Sequence, residues 1–255
     1  MFGPWTIYFG PVGVNLSTFF LSLFVLVVAV IQKLRGRRTY FFEISLQLLL
    51  VSFSFITLHG RLLQYIFPIA LPEQPLLDNN LTFNYFLTNI LAYVVFPVLA
   101  LTLLGSPVSH MLLGLKVQNA KQTITYALCG AAFIVFLFTL SHIFLSGRWI
   151  TEYTHHGLIL WIFLVAILSV FAQTFFFIGI LFNRYLDHEN KVILALISIL
   201  ATQSFILSSP PGIITNMAYS AAKIVVTCRT RNIYGAALMS STLNIMDIAT
   251  QILGS

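Results

Sequence analysis

Four polar residues, Ser240, Asn244, Asp247 and Gln251, fall at i, i+4, i+7 and i+11 within the apolar stretch 233–253. At 3.6 residues per turn that spacing puts all four on one helical face. On a soluble helix such a row is the solvated side. In a bilayer a carboxylate and an amide are costly unless they face a protein interior or a wet cavity. A second row, Asn216, Ser220 and Lys223, repeats i, i+4, i+7 in the stretch 212–228. Gln173 with Thr174, and Gln203 with Ser204, put polar groups into two further apolar stretches. Four helices with polar faces can share one polar interior, which locates the candidate site between residues 170 and 251.

The residue types limit what that interior can do. An aspartyl protease needs two facing aspartates, and Asp247 is the only aspartate within an apolar stretch. Ser220 and Ser240 have no histidine at their depth to act as a base, so a serine/histidine dyad is absent. No HExxH, P-loop or GxGxxG is present. Glu152, His155 and His156 give ExxHH, with His142 nearby; this reads as a solvated outer loop in preference to a metal site. No cofactor and no metal are expected. The isolated Cys129 and Cys228 form no disulfide framework and no CxxC pair, and read as packing residues.

Charge pairing inside the apolar segments is constrained by depth. At 1.5 Å per residue, Lys223 lies about 9 Å from one end of its segment, Asp247 about 20 Å and Glu43 about 5–6 Å. A Lys223–Asp247 pair is therefore strained; Glu43–Lys223 is the easier ion pair, helped by the long lysine stem, and a snorkelling or hydrated Lys223 is the alternative. Asp247 has no charged partner at its own depth. A transporter or complex subunit using Asp247, Lys223 and Glu43 is an alternative reading of the same residues.

The elements that must position these residues are membrane helices. Of 255 residues 58% are hydrophobic and only 8% are charged, against about 25% charged in a soluble domain. The mean hydropathy is +0.93. An all-α, polytopic membrane protein is expected, with about eight transmembrane helices in one bundle. The spans are 14–32, 40–58, 85–104, 123–145, 157–182, 192–208, 212–228 and 233–253, near the length that crosses about 30 Å of hydrocarbon. The sixth and seventh are short and separated by Ser209-Pro210-Pro211, so one of them could be re-entrant. Gly179 invites a kink in the fifth. Residues 1–104 form an N-terminal group of three spans, and residues 105–255 form the helical core of the same membrane domain. The outer loop 67–84 is rich in Pro and Asn and contains a weak glycosylation acceptor, Asn80-Leu81-Thr82. Leu112–Gln122 reads as a short interfacial helix. MFGPWTIYFG lacks a basic region and a cleavage site, so it does not read as a signal peptide.

Ten of the thirteen basic residues fall in alternate loops: Lys33, Arg35, Arg37, Arg38, Lys116, Lys121, Arg184, Lys191, Arg229 and Arg231. The positive-inside rule then puts both termini outside. The net charge of +6 is this loop bias, and no nucleic-acid partner is expected.

Ala172-Gln173-Thr174-Phe175-Phe176-Phe177-Ile178-Gly179 resembles the first motif of the CPBP (CAAX protease and bacteriocin-processing, also called Abi) intramembrane proteases. That motif is Glu-Glu-x-x-x-Arg with Phe before the Arg and Gly after it. Gln173 and Thr174 stand in place of the glutamates and Ile178 in place of the arginine, while Phe177 and Gly179 remain. Residues 197–205 have the texture of the family's second motif without its histidine. Residues 231–244 resemble the last motif, with Ser240 at the histidine position and Asn244 matching the asparagine. The resemblance covers about residues 105–251. It implies an eight-helix core in a bacterial inner membrane or plasma membrane. It also implies a catalytically degenerate chain, because Gln173 cannot act as a base and Ser240 cannot replace an imidazole. Such a pseudoenzyme would keep its cavity for a transmembrane peptide, a lipid or a membrane-protein partner. An active intramembrane endopeptidase with another catalytic set is the competing expectation.

Overall fold

The computed structural model describes the backbone of residues 6–9, 12–36, 39–57, 86–87, 89–106, 112–145, 167–204 and 210–253. Each of the eight apolar stretches contains a helix. These are α1 Leu16–Leu34, α2 Phe41–Thr57, α3 Leu91–Leu103, α4 Ala120–Leu145, α5 Ile167–Tyr185, α6 Lys191–Ser204, α7 Pro210–Thr230 and α8 Tyr234–Leu253. Pro210 and Pro211 open α7, where a missing N–H costs no helical hydrogen bond. The described residues are all-α apart from one short hairpin, β1 Thr6–Phe9 against β2 Val12–Asn15, with Thr6 opposite Asn15. Residues 14 and 15, expected in the first span, therefore belong to a strand.

Among the described residues two helices are long and apolar enough to cross a membrane, α4 over Ala120–Leu140 and α5 over Ile167–Tyr185. α1, α2, α3 and α6 carry shorter apolar segments. Large apolar side chains face outward on many helices, among them Phe20 and Phe24 on α1, Phe53 on α2, Leu128 and Phe136 on α4, and Ile214 and Val225 on α7. Only 28% of the apolar window of α4 is buried inside the protein, against 67% for α5. α5 is thus the central helix and α4 a peripheral one.

One end of the bundle is closed by capping side chains. The Phe41 N–H donates to Thr39 Oγ1 at the start of α2. The Gln122 N–H donates to Asn119 Oδ1 at the start of α4. Val192 and Ile193 N–H donate to Asn190 Oδ1 at the start of α6, and Tyr234 N–H donates to Asn232 Oδ1 at the start of α8. The first-turn N–H groups of a helix lack intrahelical partners, and these residue types supply the missing acceptor. Each even-numbered helix therefore starts at this end.

The main core joins both halves of the chain. It includes Val25, Phe41, Leu48, Tyr93, Phe175–Phe182, Leu194, Ile224, Ile233 and Ala236. Two π-helical turns meet in it: Leu91–Val95 in α3 and Phe175–Ile180 in α5. The first precedes Pro97, whose ring would crowd the Tyr93 carbonyl in a regular helix. The second contains Gly179 and takes the place of the expected kink. It buries six consecutive residues, Phe175 to Ile180. Tyr93 lies 5.8 Å from Phe176 and 5.3 Å from Phe177, ring to ring, so the two wide turns are packed face to face.

Leu112–Leu115 is a 3-10 turn, and α4 begins at Ala120. The interfacial helix expected over Leu112–Gln122 is not formed. The physical reason is Gly114. A β-carbon there would stand 3.2 Å from Ile233 Cγ2 and 3.4 Å from Gly179 Cα. The Gly114 carbonyl also accepts from Ile233 N–H at 2.9 Å. The absence of a side chain lets this turn sink against α5 and the start of α8.

Candidate functional site

The four basic loops converge on the capped end. Thr39 Oγ1 and Tyr40 N–H, between α1 and α2, donate to Glu189 between α5 and α6, at 2.9 and 2.6 Å. Arg184 at the end of α5 donates to Ser106 Oγ after α3, at 2.7 Å. Asn183 Nδ2 donates to the Arg231 carbonyl, and the Arg231 guanidinium pairs with Asp187 at 3.0 Å. Gln122 Nε2 donates to the Arg229 carbonyl. Asn232, fully buried, donates to Thr123 Oγ1 at 2.8 Å. Loops far apart in sequence are thereby one hydrogen-bonded platform. Arg231 sits in it with φ +56°, the left-handed region that glycine favours.

Glu43 belongs to this platform, and its partner is not Lys223. Its carboxylate accepts from Tyr185 Oη at 3.0 Å and pairs with Arg184 at 3.5 Å. α2 packs on α1 and α3, while α7 packs on α4, α6 and α8. Lateral order keeps Glu43 and Lys223 apart although their depths are compatible. Among the described residues the Lys223 ammonium has no hydrogen-bond or ion-pair partner.

The polar groups of the interior divide into two sets. Gln173 Nε2 donates to Asn89 Oδ1 at 3.0 Å, which turns it toward α3. Thr174 and Ile178 are buried in the main core region, Ile178 among the phenylalanines. Nothing in the sequence marks Asn89 beyond its being an amide at the edge of an apolar stretch. The second set lies on α7 and α8. Asn216, Ser220 and Ser240 are all buried. Among the described residues Asn216 Nδ2 and Ser240 Oγ have no hydrogen-bond partner. By helical register Asn216 and Lys223 point between two contacts of α7. One is Tyr219 and Val226, packed with Met239 of α8; the other is Ile224, packed in the main core. Ser240 lies one turn beyond Ala236, on the face that Ala236 and Ile233 turn to α5. Asn244 is half-buried one turn further along. The side chains of Gln203, Ser204, Asp247 and Gln251 lie outside the described residues, as do Asn80, Glu152, His155, His156 and the side chain of His142. Among the described residues no cluster of His, Cys, Asp and Glu has the makings of a metal site, and both cysteines are free.

No family model, curated protein or solved structure matches the chain.

The arrangement on α7 and α8 is one of hydrogen-bonding groups. Among the described residues the buried polar side chains of α7 and α8 are amides and hydroxyls, with the half-buried Lys223 ammonium beside them. What it can do is present hydrogen-bond donors and acceptors in an apolar surrounding.

Proposed function

We propose that this chain is a polytopic membrane protein whose eight helices cross the bilayer. It binds a membrane-embedded partner, a lipid or a transmembrane segment, in the polar seam between α5, α7 and α8. The observation that carries this reading is the pair of buried, unpartnered groups Asn216 Nδ2 and Ser240 Oγ. A buried polar atom left unpaired costs about 1–3 kcal/mol, and a bound molecule that hydrogen-bonds to either would lower that cost. The bilayer itself is supported by the low charge content, the outward-facing phenylalanines and leucines, and the gathering of four basic loops at one end.

The CPBP-like reading of residues 105–251 rests on Phe177, Gly179 and Asn244. Under it the chain is a descendant of that peptidase family that has lost the chemistry and kept the seam. The side chains at the former catalytic positions agree with the loss: Gln173 is engaged with Asn89, and Ile178 is core.

Native mass spectrometry of the purified protein tests the proposal. The wild type should retain a lipid or peptide that Asn216→Leu and Ser240→Ala each release. A chain that is empty in both wild type and variants refutes the binding role. Cleavage of transmembrane peptides abolished by Gln173→Ala would refute the loss of catalysis.

A further inference from the structure

The unmet groups of the α7–α8 seam share a chemical character. Lys223 Nζ and Asn216 Nδ2 are donors, and Ser240 Oγ can donate. Lys223 lies seven residues before the end of α7, and Ser240 six residues after the start of α8. At 1.5 Å per residue these are depths of about 10 and 9 Å from the same capped end. The two helices run antiparallel from one turn, so both groups stand at one level. Asn216 lies two turns deeper on the same face of α7 as Lys223.

The acids of the platform are already engaged: Glu43 with Arg184, Asp187 with Arg231, Glu189 with Thr39 and Tyr40. Among the described residues Lys223 has no counter-charge, and an uncompensated ammonium inside hydrocarbon is costly. A neutral ligand would supply acceptors but leave that charge unbalanced. We infer that the seam takes the acidic head of a single-chain amphiphile, a carboxylate or a phosphate monoester. The anionic oxygens sit on Lys223 Nζ and Ser240 Oγ, and the tail lies along the apolar faces of α7 and α8. This rests on the seam-binding role proposed above and names its ligand class.

The test uses the full-length protein in a neutral detergent with three probes of equal chain length: oleate, 1-oleoyl lysophosphatidate and oleyl alcohol. Binding is read by thermal shift and native mass spectrometry. At least one acidic probe should bind at least about tenfold more tightly than the alcohol, the lower end of what a hydrogen bond to a charged group contributes. Preference between oleate and lysophosphatidate separates the carboxylate from the phosphate. Lys223→Gln should abolish the acidic preference and Lys223→Arg should keep it. Lys121→Gln, an exposed lysine at the same end, should change nothing. Equal binding of all three probes overturns the inference, as does a preference that survives Lys223→Gln or falls with Lys121→Gln. If the wild type retains a lipid or peptide but shows no acidic preference, only the ligand class fails. If it retains nothing and binds no probe, the seam-binding role fails with it.

Discussion

Gly235→Ala should destabilise the protein more than Gly130→Ala, although both glycines lie in the contact between α4, α7 and α8. A β-carbon at Gly235 would stand 2.6 Å from Val226 Cγ1, with Ala127 Cα behind it at 3.6 Å. That is about 1 Å short of ordinary carbon–carbon contact. Val226 is buried and β-branched, so its χ1 has little freedom within a helix. α8 must move away from α7, and overpacking of this kind costs about 1–3 kcal/mol. A β-carbon at Gly130 meets Met239 Sδ at 2.6 Å, but that obstacle is a flexible thioether. Gly130 also lies inside α4, where Ala gains about 1 kcal/mol of helix propensity over Gly. Gly130→Ala should therefore fall within about 1 kcal/mol of wild type once the propensity gain offsets the repacking. Reversible unfolding in mixed micelles, followed by circular dichroism at increasing dodecyl sulfate, measures both. Adding Val226→Ala to Gly235→Ala removes the clashing methyl and should recover most of the loss. A larger cost at Gly130, or no recovery in the double variant, would refute this packing argument.

The same unfolding assay checks three further expectations. Glu43→Gln leaves the Arg184 guanidinium without its counter-charge; it should cost about 1–3 kcal/mol, below the roughly 3–5 of a fully buried pair, because the Glu43 side chain is 27% exposed. Asn232→Ala removes the α8 cap and the bonds to Thr123 and the Thr230 carbonyl, and should cost about 2 kcal/mol. Arg231→Gly relieves a left-handed backbone worth about 1–2 kcal/mol while losing a surface ion pair worth about 0–1. Its net effect should be small or stabilising, and Arg231→Val should be destabilising.

The positions of the helices were legible in hydropathy, because an apolar run must satisfy its own backbone. The ends were not read from the sequence, although Thr39, Asn119, Asn190 and Asn232 each stand just ahead of a helix as N-cap residues do. Lateral order was not. Depth along a helix allowed Glu43 to meet Lys223, but hydropathy does not say which helices are neighbours, and Arg184 is the residue beside Glu43. The Gln173–Asn89 bond was hidden for the same reason, since α3 and α5 are far apart in sequence. Leu112–Leu115 misled because an apolar run beside a basic loop looks interfacial; the close approach at Gly114 needs Ile233 and Gly179 in view. The row on α8 was legible as one face; Ser240 is buried and Asn244 half-buried, and the side chains of Asp247 and Gln251 lie outside the described residues.

Cysteine accessibility in sealed cells tests the bilayer-spanning bundle most directly. With Cys129 and Cys228 replaced by alanine, single substitutions Arg35→Cys, Gln118→Cys, Lys191→Cys and Arg229→Cys probe the four basic loops, all at exposed positions. None should react with an impermeant maleimide until the cells are opened, and then all four should. A mixed pattern, with one loop reacting from outside while the others stay protected, would contradict a bundle whose four basic loops share one side of the membrane.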